Sequence, residues 1–340
     1  MDLTAYHFVS LFRNNVQQYP QKDALMGRDA SSHWKGITWE TLGSTTTLLS
    51  KSLLSLGVQP QETVGILAQN TPQWSLADLA CLQIRAIPVP IYTTNTAEQA
   101  LYVMKHAEVK VLFVGDEKQY HKALQVASQS PTLQMIVVCD NEVPLTEKQY
   151  SIHWNDFLAL GNSPQYDTAL DKCIAERNLD DLFTIIYTSG TTGEPKGVML
   201  TYENLAFQMV GHTERLSTVD NTDTSLAFLP LSHVFERAWT YFCLYKAVTV
   251  YYLDDTNLVR EALAEVRPTL MCAVPRFYEK IFATVHDRAD ASSFVKRKLF
   301  RLAIATGKRV LALREQGKKP SFVLQKAYNL FDKMVYTKLK

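Results

Sequence analysis

From Thr63 to Cys139 the chain alternates short apolar runs with amphipathic stretches: TVGILA, PQWSLADLACLQIRA, IPVPI, TAEQALYVMKHA, VKVLFVGD, KQYHKALQVA and LQMIVVC. Short runs rich in Val, Ile and Leu suit strands buried on both faces, and the stretches between them carry apolar residues at helical spacing. The pattern predicts βαβαβαβ, a parallel sheet covered by helices on both sides with right-handed crossovers.

A polar, less regular stretch from about Asn141 to Asn178, holding GNSPQYD, interrupts this pattern. A second α/β run follows: LFTIIYT, GVMLT, a helix in YENLAFQMVGHTERL, TSLAF, a helix over VFERAWTYFCLY, AVTVYYL, a helix TNLVREALAEV, TLMCAV, and then helices to the end. The expected fold class is therefore α/β, with two βα-layered subdomains and largely parallel sheets. The first region is placed at residues 1–178, with residues 1–60 free to pack on the second, and the second at 179–340.

Hydrophobic content of 46% with 20% charged residues is ordinary for a soluble globular chain and excludes a disordered one. Five cysteines, an odd and widely spaced set without a C-x-x-C pair, argue against a disulfide framework or a zinc site. The first residues have no basic region followed by an apolar one, and no later run approaches the roughly 18 apolar residues of a membrane span. A cytoplasmic protein is expected, with no nucleic-acid partner. Net charge is +1, yet residues 295–340 hold 13 Lys and Arg against Glu315 and Asp332 alone. Leu299, Leu302, Ala303, Val310 and Leu313 lie among those charges, which leaves two readings: a helix face resting on anionic lipid at the inner face of a membrane, or a solvated helical insertion.

The stretch IIYTSGTTGEPKGVMLT, residues 185–201, is the chemically richest. Glycine loses the most freedom on ordering, so a plain connector does not need three of them beside so many hydroxyls. A bound polyanion explains the composition: a strand-to-turn junction presents backbone N–H groups, Ser189, Thr191 and Thr192 add hydroxyl donors, and Lys196 adds a mobile charge. Neither G-x-x-x-x-G-K-[ST] nor G-x-G-x-x-G is matched, so the residues alone leave open a hairpin rich in turn residues. Thr201 can cap the following helix, with Glu203 in its first turn. With nothing apolar to anchor it, the loop at 188–196 is expected to be mobile until a ligand orders it.

YTSGTTGEPKGVMLT resembles the signature of the adenylate-forming superfamily, which includes acyl-CoA synthetases, luciferases and the adenylation domains of peptide synthetases. FLPLSHVFERAWTYF (228–242) resembles the next motif of that family, with an H-V-F-E-R core similar to that of long-chain fatty acyl-CoA synthetases. AVPRFYEKIF (273–282) and the basic segment after it resemble the same branch. The resemblance implies the N-terminal domain of an adenylate-forming enzyme that joins a long-chain fatty acid to coenzyme A through an acyl-adenylate, using ATP and Mg2+. A relative that loads a carrier protein, or a non-enzymatic lipid- or nucleotide-binding relative, stays open.

Carried onto this chain, the resemblance implies that Ser189, Gly190, Thr191, Thr192 and Gly193 wrap the β and γ phosphates. Lys196 offsets the charge of the departing pyrophosphate, and Thr188 belongs to the magnesium shell. His233 stands between acyl pocket and reacting carboxylate, where its donor steadies charge, against the alternative of a hydrogen-bonded core histidine. Arg237 occupies a position where some long-chain members carry a tunnel-gating tryptophan, which leaves Trp239 to core packing. Arg276 either contacts substrate or pins a helix. The family's adenine, ribose and hinge motifs and its second catalytic lysine do not occur before Lys340. The chain is therefore expected to be a truncated N-terminal part of a longer synthetase, inactive by itself.

Overall fold

The structure is a computed structural model that describes residues 2–188 and 194–338. It divides into two compact units, Met1–Cys272 and Ala273–Lys340. In chain order the first unit runs α1 (Phe8–Gln18), β1 (Asp23–Arg28), β2 (Trp34–Thr38), α2 (Trp39–Ser55), β3 (Thr63–Leu67), α3 (Pro72–Gln83) and β4 (Ile87–Pro90). It continues with α4 (Ala97–His106), β5 (Val111–Val114), α5 (Glu117–Ala127), β6 (Met135–Val138), β7 (Ser151–His153), α6 (Trp154–Leu160) and α7 (Asp167–Ala175). It closes with β8 (Leu182–Thr188), β9 (Lys196–Thr201), α8 (Tyr202–Arg215), β10 (Thr224–Ala227), α9 (Val234–Tyr245), β11 (Thr249–Tyr252) and α10 (Val259–Val266).

The βαβαβαβ pattern folds as read. Its strands form a parallel sheet in the order β4-β3-β5-β6, and β7, from the stretch after Asn141 that reads as irregular but also holds α6 and α7, pairs parallel with β6 at the edge. Alternation sends Val111, Phe113 and Val137 into one core and Leu112, Val114, Ile136 and Val138 into another, because successive side chains leave opposite faces of a strand. The first core is closed by α1, α2, α3 and α9, the second by α4 and α5. Local signals set the helix starts: Thr96 and Gln99 form a reciprocal capping box on α4, and Asp116 caps α5.

The helix α2 is rich in serine and threonine, and those hydroxyls have uses. Ser50 Oγ donates to the carbonyls of Thr46 and Ala80, and Ser52 Oγ to those of Leu48 and Phe157. Gly161, just after α6, allows the closest approach in this region: a Cβ there would stand 2.1 Å from the Leu48 carbonyl oxygen.

The second sheet mixes distant parts of the chain in the order β10-β11-β1-β2. Strand β1 pairs parallel with β11 and antiparallel with β2, so residues 23–38 are built into the same sheet as residues 224–252. The line at 178/179 falls inside the first unit, and α1 packs beside α9 through Asn15 Nδ2, which donates to the Leu244 and Tyr245 carbonyls at 2.7 and 2.9 Å. TLMCAV contributes only an isolated parallel bridge, Ser225 to Leu270. Pro268 brings no N–H to a ladder, and Thr269 Oγ1 takes the Thr224 N–H and donates to the Thr224 carbonyl, in competition with backbone pairing.

The second unit is helical: α11 (Pro275–Asp290), α12 (Phe294–Glu315) and α13 (Phe322–Met334). Ala303 and Val310 of α12 are buried, and Tyr336 Oη donates to the Ala303 carbonyl at 2.6 Å. Among the described residues no helix is long and apolar enough to cross a membrane. All five cysteines are free thiols, buried except for a half-buried Cys139.

Candidate functional site

The phosphate-loop candidate is a hairpin. Strands β8 and β9 pair antiparallel, with Thr188 opposite Lys196 at the open end and Tyr187 opposite Gly197 one step back. Cross-strand partners share a face and successive pairs alternate faces, so Thr188 and Lys196 present a hydroxyl and an ammonium together to solvent. Both are exposed. Ser189, Gly190, Thr191, Thr192 and Gly193 lie outside the described residues, and with them most of the loop expected to be mobile.

The feet of that loop are tied down, which its composition does not disclose. Tyr187 is buried, and its hydroxyl meets His106 Nδ1 of α4 at 2.7 Å. Burial, with Tyr102 adding to it, pushes the Tyr187 phenol up to about 12, so it stays protonated. Tyr102 of α4 donates to the Pro195 carbonyl at 3.1 Å. Gly197 makes room for this arrangement: a Cβ there would lie 2.8 Å from Ile185 Cγ2 and 3.2 Å from the Tyr187 ring. Below the hairpin Thr201 caps α8 with a box completed by Asn204, and Glu203 sits in the first turn.

The LPLSH segment is clamped from both sides. Asn70 donates to the Leu229 carbonyl at 2.7 Å and accepts from the Leu231 N–H at 3.0 Å. Glu236 Oε2 accepts from the Leu229 N–H at 3.3 Å, while Oε1 has no hydrogen-bond partner among the described residues. Complete burial raises the Glu236 carboxyl to about 8, partly opposed by the Leu229 N–H. His233 is the N-cap of α9 and is exposed, not a core histidine. Its Nδ1 accepts from the Phe235 N–H at 3.2 Å, so the neutral ring carries its proton on Nε2.

Arg237 lies one turn into α9 and is buried. Its Nη2 and Nε meet Asp78 Oδ1 and Oδ2 of α3 at 2.6 and 3.1 Å, and Nη1 donates to Thr184 Oγ1 of β8 at 2.5 Å. Tyr241 Oη donates to Asp78 Oδ2 at 2.5 Å, and Thr184 Oγ1 passes its own proton to the Pro88 carbonyl of β4 at 2.7 Å. The guanidinium is surrounded by the rings of Trp74, Phe183 and Tyr241 at 5.4 to 5.6 Å. Burial penalises its charge, but Asp78 and Tyr241 outweigh that and hold it above its ordinary range. The position thus fixes β8, which carries Thr188, against α9, which His233 begins. Trp239 packs half-buried on the core and donates to Ser225 Oγ at 3.0 Å. In the helical unit Arg276 is 92% exposed and pairs with Glu279 on its own helix.

Long chain acyl-CoA synthetase 3 of Arabidopsis thaliana is 30% identical over 346 residues, which cover 97% of this chain and 50% of the relative. The long-chain-fatty-acid–CoA ligase ACSBG2 of Xenopus laevis is 31% identical over 338 residues, 97% of this chain and 45% of that one. The chain spans about half the length of the curated relatives it matches. In fold it is similar to the crystal structure of a long-chain-fatty-acid-CoA ligase (FadD1) from Archaeoglobus fulgidus, with TM-score 0.68, 18% identity, and 84% of this chain and 54% of that chain covered. It is similar also to the anthranilate CoA ligase AuaEII in complex with anthranoyl-AMP, with TM-score 0.67, 21% identity, and 80% and 51% covered. The family model described as AMP-binding enzyme matches residues 12–323, and this chain belongs to that family.

Proposed function

We propose that the whole protein is an ATP-dependent long-chain fatty acid:CoA ligase, and that this chain supplies its phosphate-gripping part and the segment facing the acyl carboxylate. The observation that carries the reading is the Thr188–Lys196 pair at the mouth of a hairpin whose sequence matches the AMP-binding family. The names of the relatives in Arabidopsis thaliana and Xenopus laevis support a long-chain acid as substrate.

In the first step the fatty acid carboxylate attacks the α-phosphorus of ATP, and the acyl-adenylate forms as pyrophosphate leaves. In the second, the coenzyme A thiol attacks the acyl carbon and AMP leaves. Lys196 is exposed, so its ammonium can follow the negative charge that builds on the departing pyrophosphate. The Nε2–H of His233 is available to steady the carboxylate. Among the described residues no cluster of three His, Cys, Asp or Glu side chains forms a metal cage. The donors present fit a magnesium ion bound chiefly by phosphate oxygens and water, with the Thr188 hydroxyl as a neutral protein oxygen, and that ion would neutralise phosphate charge. Of the five apolar residues read as a lipid-facing set, Ala303 and Val310 are buried, Leu299 and Leu313 are half-buried and Leu302 is exposed; exposed Phe294 and Val295 stand with Leu302 among Lys298, Arg301 and Arg309, which supports contact with anionic lipid.

ATP–pyrophosphate exchange by the whole protein, run with acids from acetate to stearate, tests the reading. Exchange should rise for acids of about twelve carbons or more, since each buried methylene contributes roughly 0.8 kcal/mol. Acetate or benzoate as the best substrate would sink it. Thioester formation with coenzyme A but not with a carrier protein separates it from the carrier-loading alternative.

A further inference from the structure

Both strands that lead into and out of the phosphate loop are tied to one helix. Tyr187, the last residue before Thr188, reaches His106 Nδ1 at 2.7 Å, and Pro195, the last residue before Lys196, is held through its carbonyl by Tyr102 Oη at 3.1 Å. Tyr102 and His106 are one turn apart on α4, stack on each other at 5.6 Å, and Tyr102 meets the Tyr187 ring edge-on at 6.4 Å. The three rings make one block, and Gly197 gives it the space beside β9. These contacts span 81 and 93 residues of sequence, so they do not belong to the hairpin's own pairing. A two-stranded ribbon is marginally stable by itself, and its open end is where it frays. Here the fraying end carries Lys196.

We propose that Tyr102, His106 and Tyr187 are positioning residues for adenylation, acting through Lys196. They hold the two feet of the loop in register, so that the ammonium of Lys196 starts each turnover beside the leaving phosphates and little order has to be gained in the transition state. This inference rests on the ligase reading. None of the three touches the reacting atoms.

The experiment is pyrophosphate exchange on the whole protein with Tyr102→Phe, Tyr187→Phe, His106→Leu and His106→Asn, each also combined with Lys196→Ala. The two Phe variants remove only a hydroxyl. Losing one such hydrogen bond should lower kcat/KM for ATP about three- to tenfold, with KM for the fatty acid nearly unchanged and the thermal midpoint lowered by only a few degrees. His106→Leu should behave like Tyr187→Phe, and His106→Asn, whose Oδ1 can accept from the Tyr187 hydroxyl, should recover most of the loss. In the Lys196→Ala background the Phe variants should add nothing, because the residue they place is gone. Full additivity there, equal losses for ATP and fatty acid, or no loss from either Phe variant overturns the proposal. If Lys196→Ala itself leaves exchange unchanged, or the wild type activates no acid, the ligase reading has failed and the positioning role falls with it.

Discussion

Arg237 and Asp78 face each other as a two-pronged ion pair, at 2.6 and 3.1 Å, with side chains only 2% and 3% exposed. Charges removed from water to that extent are held by each other and by Thr184 and Tyr241. Cutting one partner therefore strands the other. Asp78→Ala or Arg237→Ala should cost about 3–5 kcal/mol in chemical denaturation, while the apolar pair Asp78→Leu with Arg237→Met should recover most of it. A single variant of near wild-type stability would show that the pair is not holding α3 to α9.

Lys196 is exposed at the start of β9, so its removal should leave the unfolding free energy of the protein within about 0.5 kcal/mol of the parent. Its effect should appear in chemistry instead. Lys196→Ala is expected to slow acyl-adenylate formation by about a hundredfold or more. Single-turnover measurement of pyrophosphate release checks this, and a rate within threefold of wild type would remove Lys196 from the mechanism.

Glu236 gives the fold a pH dependence of defined sign. Its folded carboxyl titrates at about 8 against an ordinary 4.5, so between those values the folded chain holds a proton that the unfolded chain releases. Stability from this group is fully present below about 4.5 and is lost as pH rises through 8, by at most about 5 kcal/mol. His7 works the opposite way: burial first, and Arg177 second, lower it from 6.5 to about 4, so it costs stability as pH falls through that window. Glu236→Gln isolates the first effect. Its stability should decline less than that of the wild type between pH 6 and 8, and parallel profiles would contradict the assignment.

Two glycines should respond oppositely to the same substitution. Gly161→Ala would press a Cβ to 2.1 Å from backbone at Leu48, and overpacking of this kind costs about 1–3 kcal/mol. Gly211 lies within α8 with nothing within 4 Å of its Cβ position, so Gly211→Ala should stabilise by about 0.5–1 kcal/mol. Urea midpoints measured side by side decide both.

What the sequence discloses depends on distance along the chain. The strands from Thr63 to Val138 are legible because each is a short apolar run, its crossover helix is the next segment, and the caps at Thr96 and Asp116 lie at the boundaries. Thr188 and Lys196 are singled out by a dense local motif, and the pairing of β8 with β9 sets them opposite each other. Tyr102 and His106 are not, because an aromatic and a histidine one turn apart on an amphipathic helix look like any core-facing pair. Their meaning comes only from Tyr187 and Pro195, brought to them by the fold. Arg237 is read from the sequence as a tunnel-gate position and found as the buried partner of Asp78, a pairing across 159 residues that no periodicity encodes.

The insertion of β1 between β11 and β2 sets a schedule for the growing polypeptide. Everything in the parallel sheet from β3 to β7 has been made by the time His153 emerges, and it can assemble from neighbours already present. Leu25 must wait for Val250. Between the synthesis of Leu25 and that of Val250 the strand is a nascent segment with one of its edges open, and edges of that kind are the ones that recruit wrong partners. A strand made before the whole parallel sheet is thus completed only after that sheet's last strand has been made, and the pace of synthesis between Leu25 and Val250 sets how long its edge stays uncovered.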